Sequence, residues 1–234
     1  MTLTEYRTPE LLATASAELI YDSLTKKPDS LCCFSSGFTQ NETYDVLTKM
    51  LLQKNFPVGK LRVIGLDEWQ GLGGSDKGSC RAYMNERFFE PLGIKPLHFF
   101  NGKNDSEAQC READDLLDRE GPIDICVLGI GMNGHLGFNE PGTPESTRSH
   151  AKNLDALTVQ VGGKYFDGNA APSAGITLGL RDLLASKLIL AQIVGAHKAP
   201  VFEKLISSPP SVSFPASLLK NTDALVYVCL HTIE

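Results

Sequence analysis

The stretch Asp124–Thr143, DICVLGIGMNGHLGFNEPGT, decides how this chain folds. Ile125, Cys126, Val127 and Leu128 form a short, wholly apolar run. That is the pattern of a strand covered on both faces inside a parallel sheet. Gly129, Gly131 and Gly134 follow, where a backbone can turn tightly and pass close to a ligand. Asn133, His135, Asn139 and Glu140 stand directly behind, at the carboxyl end of the strand, which is where ligands bind in open α/β sheets. His135 can act as acid or base near neutral pH, and the carboxylate of Glu140 can fix its tautomer. The bland alternative is a glycine-rich loop with one surface histidine. The density of polar groups behind an apolar strand favours a site.

Outward from this stretch, strands and helices alternate. Pro9 to Lys26 has the apolar spacing of an amphipathic helix, with Leu11, Leu12, Ala15, Leu19 and Ile20 on one side. The short apolar strand at Asp29 to Phe34 runs into Ser35-Ser36-Gly37-Phe38-Thr39-Gln40 and then a helix carrying Val46, Leu47, Met50 and Leu51. A strand, a small-residue turn and a helix N-terminus make an anion site, because free N–H groups and the positive end of the dipole converge. Taken alone the turn fits steric packing equally well. Leu61 to Leu66 is a strand ending in Asp67-Glu68-Trp69. Two carboxylates there are either a cap or surface ion pair, or a general base tuned by partial burial. Cys80 to Glu90 and Ser106 to Arg119 are expected as helices, and Leu97 to Phe100 as a short strand. Ile176 to Leu180, Lys187 to Val194 and Ala224 to Leu230 are further strands. The predicted fold class is α/β: a three-layer, mostly parallel twisted sheet with helices on both faces, Rossmann-like, over one domain spanning 1–234.

Gly142 to Ser173 interrupts this rhythm with Gly, Ser, Thr and Pro, and is expected as a loop or lid over about 142–173. It carries Arg148, His150, Lys152 and Lys164, cations that could fold over an anionic ligand or simply be solvated. Lys198, in GAHKA after the strand 187–194, stands at a helix start, where the dipole favours an anion; an anion between them resolves the conflict.

Composition narrows the function classes. The 234 residues are 42% apolar and 21% charged, with net charge −6, which supplies a real core and argues against nucleic acid as a partner. The six cysteines show no metal spacing and imply reduced thiols in the cytoplasm. No apolar run reaches membrane-spanning length, so no membrane partner is expected. No HExxH-type metal motif occurs, and GIGMNG lacks the spacing of a dinucleotide fingerprint. Every polar cluster follows a strand, and in a parallel sheet those ends share one edge. The economical reading is proton transfer, without metal or cofactor, on a phosphorylated small molecule.

LDEW, LGIGMNGHLGFNEPGT, GITLGL and GAHKA, in this order, resemble the amino-sugar-6-phosphate isomerase (deaminating) family over nearly the whole chain. The resemblance implies a base at Asp67, which moves a proton from C2 to C1 of the opened sugar. It implies that His135 opens the ring, with Glu140 orienting it, and that water then releases ammonia from an imine at C2. It assigns the phosphate to Ser36, Gly37, Thr39 and Lys198, and more weakly to Lys164. Asn133 stands where the long-studied glucosamine-6-phosphate enzymes have Asp, so it can orient His135 but not titrate. Phe38 and Gln40 replace the usual Gly and Pro, and KYFD replaces RFFD, so that a bidentate clamp becomes a point charge at Lys164. GITLGLRDLL and SFPASLL resemble the galactosamine-6-phosphate branch, whose reaction yields tagatose 6-phosphate and ammonia. The glucosamine-6-phosphate reaction, giving fructose 6-phosphate, is the alternative. A 6-phosphogluconolactonase and a non-catalytic sugar-phosphate sensor are the readings from other classes. The longer C-terminal region of allosteric hexameric members is missing, so no amino-sugar effector site is expected. The expected partner is a small-molecule amino-sugar phosphate, with a homo-oligomer as a possible assembly.

Overall fold

The computed structural model describes residues 1–167 and 171–231. Strands β1 (Thr2–Glu5), β2 (Leu31–Phe34), β3 (Arg62–Gly65), β4 (Asp67–Trp69), β5 (Ile125–Gly129), β6 (His150–Asn153), β7 (Ala174–Thr177), β8 (Leu188–Val194) and β9 (Leu225–Cys229) form two sheets. The larger has six strands in the order β1-β9-β8-β5-β2-β3, and every pairing in it is parallel. The helices are α1 (Pro9–Lys26), α2 (Asn41–Gln53), α3 (Cys80–Met84), α4 (Glu90–Leu92), α5 (Ser106–Glu120), α6 (Ala156–Gly162), α7 (Leu180–Leu184) and α8 (Ala199–Ser207). A π turn at Asn85–Phe89 joins α3 to α4.

Period-two alternation explains why both faces are covered. Leu31 and Cys33 of β2, with Cys126 and Leu128 of β5, pack on the side of α5, α7 and α8. Their neighbours Cys32, Phe34, Ile125 and Val127 pack on the side of α1 and α2. Gln192 of β8, an amide in this second layer, donates through Nε2 to the hydroxyls of Ser16 (2.7 Å) and Thr43 (2.8 Å). The three-layer parallel architecture agrees with the sequence reading.

The chain leaves β2 toward β3 on one side and returns to β5 on the other. The order therefore reverses between β2 and β5, and their carboxyl ends open the crevice where such sheets bind ligands.

Four expectations need correction, and one strand was not expected. Thr2–Glu5 is an edge strand with no apolar run to announce it, because most of its side chains are exposed. Leu97 to Phe100 makes only a single bridge, His98 to Ile64, rather than a strand. Asp67-Glu68-Trp69 is not the end of the preceding strand but a strand of its own. It joins β7 and β6 in a three-stranded antiparallel sheet of order β4-β7-β6. The 176–180 strand thus belongs to this small sheet, not to the parallel one. The 142–173 excursion is likewise structured, holding β6, α6 and a 3-10 turn at Gly163–Tyr165; residues 168–170 of it lie outside the described residues. Its turn-rich composition concealed the pairing, since strand β6 has no fully buried side chain. Among the described residues no helix is long and apolar enough to cross a membrane.

Candidate active site

The crevice is a cleft open to solvent, and it gathers Ser36, Gly37, Thr39, Asp67, Asn133, His135, Lys164 and Lys198. Of the residues to which the resemblance gives a catalytic or phosphate role, Glu140 lies behind its wall, bonded to Asn133.

Antiparallel pairing of β4 with β7, Asp67 opposite Thr177, buries the Asp67 carboxyl to 7% exposure. Burial, then the neighbouring charge of Glu68, push it up to about 7, against a small opposing effect of the Cys80 thiol. A carboxylate so placed exchanges protons near neutral pH, as a general base needs to. Glu68 has a different task. Its oxygens accept the N–H groups of Trp69 (2.9 Å), Cys80 (2.9 Å) and Arg81 (3.1 Å) and the Ser79 hydroxyl (2.6 Å). It ties the start of α3 to β4, which is the capping reading of this carboxylate pair. Asp67 lines the cleft, whereas Glu68 does not and is structural.

His135 is oriented through Asn133 rather than directly by Glu140. The Asn133 amide donates to Glu140 Oε2 at 2.7 Å, and its oxygen accepts from His135 Nδ1 at 2.8 Å. Glu140 Oε2 itself is 3.7 Å from Nδ1, beyond hydrogen-bond reach. The carboxylate fixes the amide orientation, since a flipped amide would set oxygen against oxygen. The amide oxygen in turn demands a proton on Nδ1, which leaves the Nε2 lone pair for a ligand. Thr158 Oγ1 of α6, 3.1 Å from Nδ1, is a partner the sequence did not single out, because it lies in a segment without a motif. Burial is the main cause that brings His135 down to about 4, so its imidazole is neutral at physiological pH. The ring rests on Gly131, where a Cβ would come within 2.3 Å of it. Gly131 lines the cleft as well, and the absence of a side chain there makes room for the histidine. Asn139 is a staple, donating to the carbonyls of Leu136 and Leu178 at 2.8 Å each, and does not face the cleft.

At the other end, Gly37 adopts φ 128°, open to glycine and strained for other residues, and starts the turn into α2. Lys198 lies in the turn before α8, is 9% exposed, and donates to the Ile130 carbonyl at 2.5 Å. Burial, then the charge of Lys164, bring it down to about 8. Burial also lowers Lys164. Among the described residues neither lysine has a carboxylate partner, and both line the cleft with Ser36, Gly37 and Thr39. The other cations of the excursion are engaged elsewhere. Arg148 pairs with Asp114 and Asp118 at 3.1 and 2.8 Å, His150 Nδ1 meets the Arg148 carbonyl, and Lys152 bonds Thr143. The solvated-surface reading suits these three better than folding over a ligand. Among the described residues no group of three or more His, Cys, Asp or Glu could hold a metal.

A family model described as glucosamine-6-phosphate isomerases/6-phosphogluconolactonase matches residues 7–228. The chain belongs to this family. It is 38% identical over 233 residues to glucosamine-6-phosphate deaminase 1 of Bacillus subtilis (strain 168), covering 97% of this chain and 96% of that protein. Among solved structures, a glucosamine-6-phosphate deaminase described as monomeric superposes with TM-score 0.91 at 36% identity, covering 98% of this chain and 97% of that one. A 6-phosphogluconolactonase from Shewanella baltica shares the fold at TM-score 0.78 and 19% identity, covering 99% and 98%. These relatives do not favour the galactosamine branch suggested by GITLGLRDLL and SFPASLL; the glucosamine alternative fits them better.

Proposed function

We propose that the chain is a deaminating isomerase of glucosamine 6-phosphate, converting it with water to fructose 6-phosphate and ammonia. One observation carries this reading. A buried carboxyl brought to about 7 and a neutral histidine face the same cleft as two lysines that have no counter-charge among the described residues. One end of the cleft suits a phosphate and the other suits proton transfer, with a hexose between.

In this mechanism the phosphate is held by the Ser36–Thr39 turn, Lys198 and Lys164. His135, kept in one tautomer by Asn133, accepts the anomeric hydroxyl proton at Nε2 and returns it to the ring oxygen, opening the pyranose. Asp67 then takes the proton from C2 while the substrate's own ammonium group passes a proton to O1, giving an enamine with a hydroxyl on C1. Asp67 returns its proton to C1, which leaves an iminium at C2 that water hydrolyses with loss of ammonia. All of these groups come from one chain, and the solved relative at 36% identity is described as monomeric, so we infer a monomeric enzyme. A larger species in sedimentation analysis would overturn that inference.

The decisive assay is ammonia release from glucosamine 6-phosphate beside galactosamine 6-phosphate and 6-phosphogluconolactone. Preference for the galacto epimer would restore the branch suggested by the sequence. Lactone hydrolysis without ammonia release would replace the proposal altogether. The setting of Asp67 speaks against that outcome, because hydrolysing a lactone requires no carboxylate that carries a proton between adjacent carbons.

A further inference from the structure

Phe38 is a large apolar side chain left 49% exposed, and it stands on the turn assigned to the phosphate. Its ring meets that of Tyr165, from the turn that follows α6, with centroids 4.9 Å apart. Tyr83 of α3 completes the group at 6.1 Å from each, and its hydroxyl is hydrogen-bonded to Asn41 at the start of α2. The Tyr165 hydroxyl lies against the turn itself, where a Cβ at Gly37 would come within 3.0 Å of it. The Lys164 ammonium sits 5.1 Å from the centroids of both Phe38 and Tyr165. That is within the range where a cation is held by the negative face of an aromatic ring.

We propose that the Phe38–Tyr165 ring pair is a positioning device for Lys164, holding its ammonium beside the Ser36–Thr39 turn before substrate arrives. The proposal rests on the phosphate subsite of the function proposed above. A lysine on a flexible four-carbon stem would otherwise have to be ordered by the ligand, whereas a guanidinium carries its own rigid fork. Two ring faces supply the missing restraint. They also let the ammonium approach Lys198, which it repels, without a carboxylate that would compete with the phosphate. An exposed phenylalanine on an anion-binding turn thereby acquires a function: it touches the cation, not the anion.

A double-mutant cycle tests this on the full chain, reading inorganic phosphate affinity by calorimetry and KM for glucosamine 6-phosphate. Phe38→Leu is expected to weaken both by about threefold to tenfold, and Phe38→Trp to retain them. In a Lys164→Met background, Phe38→Leu should add less than about twofold. Equal weakening with and without Lys164 would show that the ring acts by packing and would overturn the proposal, as would no weakening at all. Phosphate coupling without ammonia release from any amino sugar would uphold this inference and sink the deaminase reading.

Discussion

Asp67→Asn should inactivate the enzyme and make it more stable, and the gain should depend on pH. Asp67 is displaced upward from 3.8 to about 7 because its charged form is buried beside Glu68. Between those values the folded chain binds a proton that the unfolded chain has released, so stability is lost as pH rises through the window. At 1.36 kcal/mol per unit of pKa, the penalty is under about 1 kcal/mol at pH 4, about 2 at pH 5 and about 4 at pH 8. An asparagine of the same shape does not ionise and escapes this penalty, apart from a constant offset for its altered contacts. Urea denaturation of both proteins across pH 4 to 8 reads the difference directly. The stability difference should widen by about 4 kcal/mol in favour of the variant, while turnover falls about a hundredfold to ten-thousandfold. A difference that stays flat across that range would refute the argument, because a carboxyl that costs nothing to ionise is not held in the setting described here.

The rate profile should be a bell for kcat/KM, rising through about 7 as Asp67 loses its proton and falling through about 8 as Lys198 loses its charge. A rising limb near 4 would deny Asp67 the role of base. Glu68→Gln removes the nearby negative charge and should lower Asp67, moving the rising limb to more acid pH. It should also destabilise the chain by about 1–3 kcal/mol, because the donors of Ser79 and Arg81 lose a carboxylate acceptor. Asn133→Asp sets a second anion against His135 and should raise it from about 4, visible as a shift of its ring proton titration in NMR. Gly131→Ala pushes a methyl into the imidazole and should lower kcat at least about tenfold with little change in melting temperature.

Much of this site was legible one residue at a time, and the misreadings share a cause. Ser36, Gly37, Asp67, His135 and Lys198 each follow an apolar strand or its short extension, so topology alone sends them to one edge. That Asn133 can orient His135 was legible, but not that Glu140 acts through it, since Glu140 lies five positions from His135 and a direct contact suits that spacing equally well. Thr158 and Tyr165 belong to an excursion whose composition advertises a loop. Their approach to His135 and to Gly37 depends on how α6 docks, a long-range matter that local pattern does not encode. Glu68 and Asp67 are neighbours of nearly the same chemistry, and only strand alternation in β4 separates the cap from the base.

By itself, the sequence determined the parallel sheet, the layers on either side and the edge where chemistry gathers, because apolar periodicity and glycine-rich strand ends are local properties of a chain. The tertiary structure decided the rest. It gave Asp67 its small antiparallel sheet and its raised proton affinity, inserted Asn133 between Glu140 and His135, and brought Lys164 onto the ring of Phe38. Burial and charge proximity are sums over residues distant in sequence, and those sums set proton affinities.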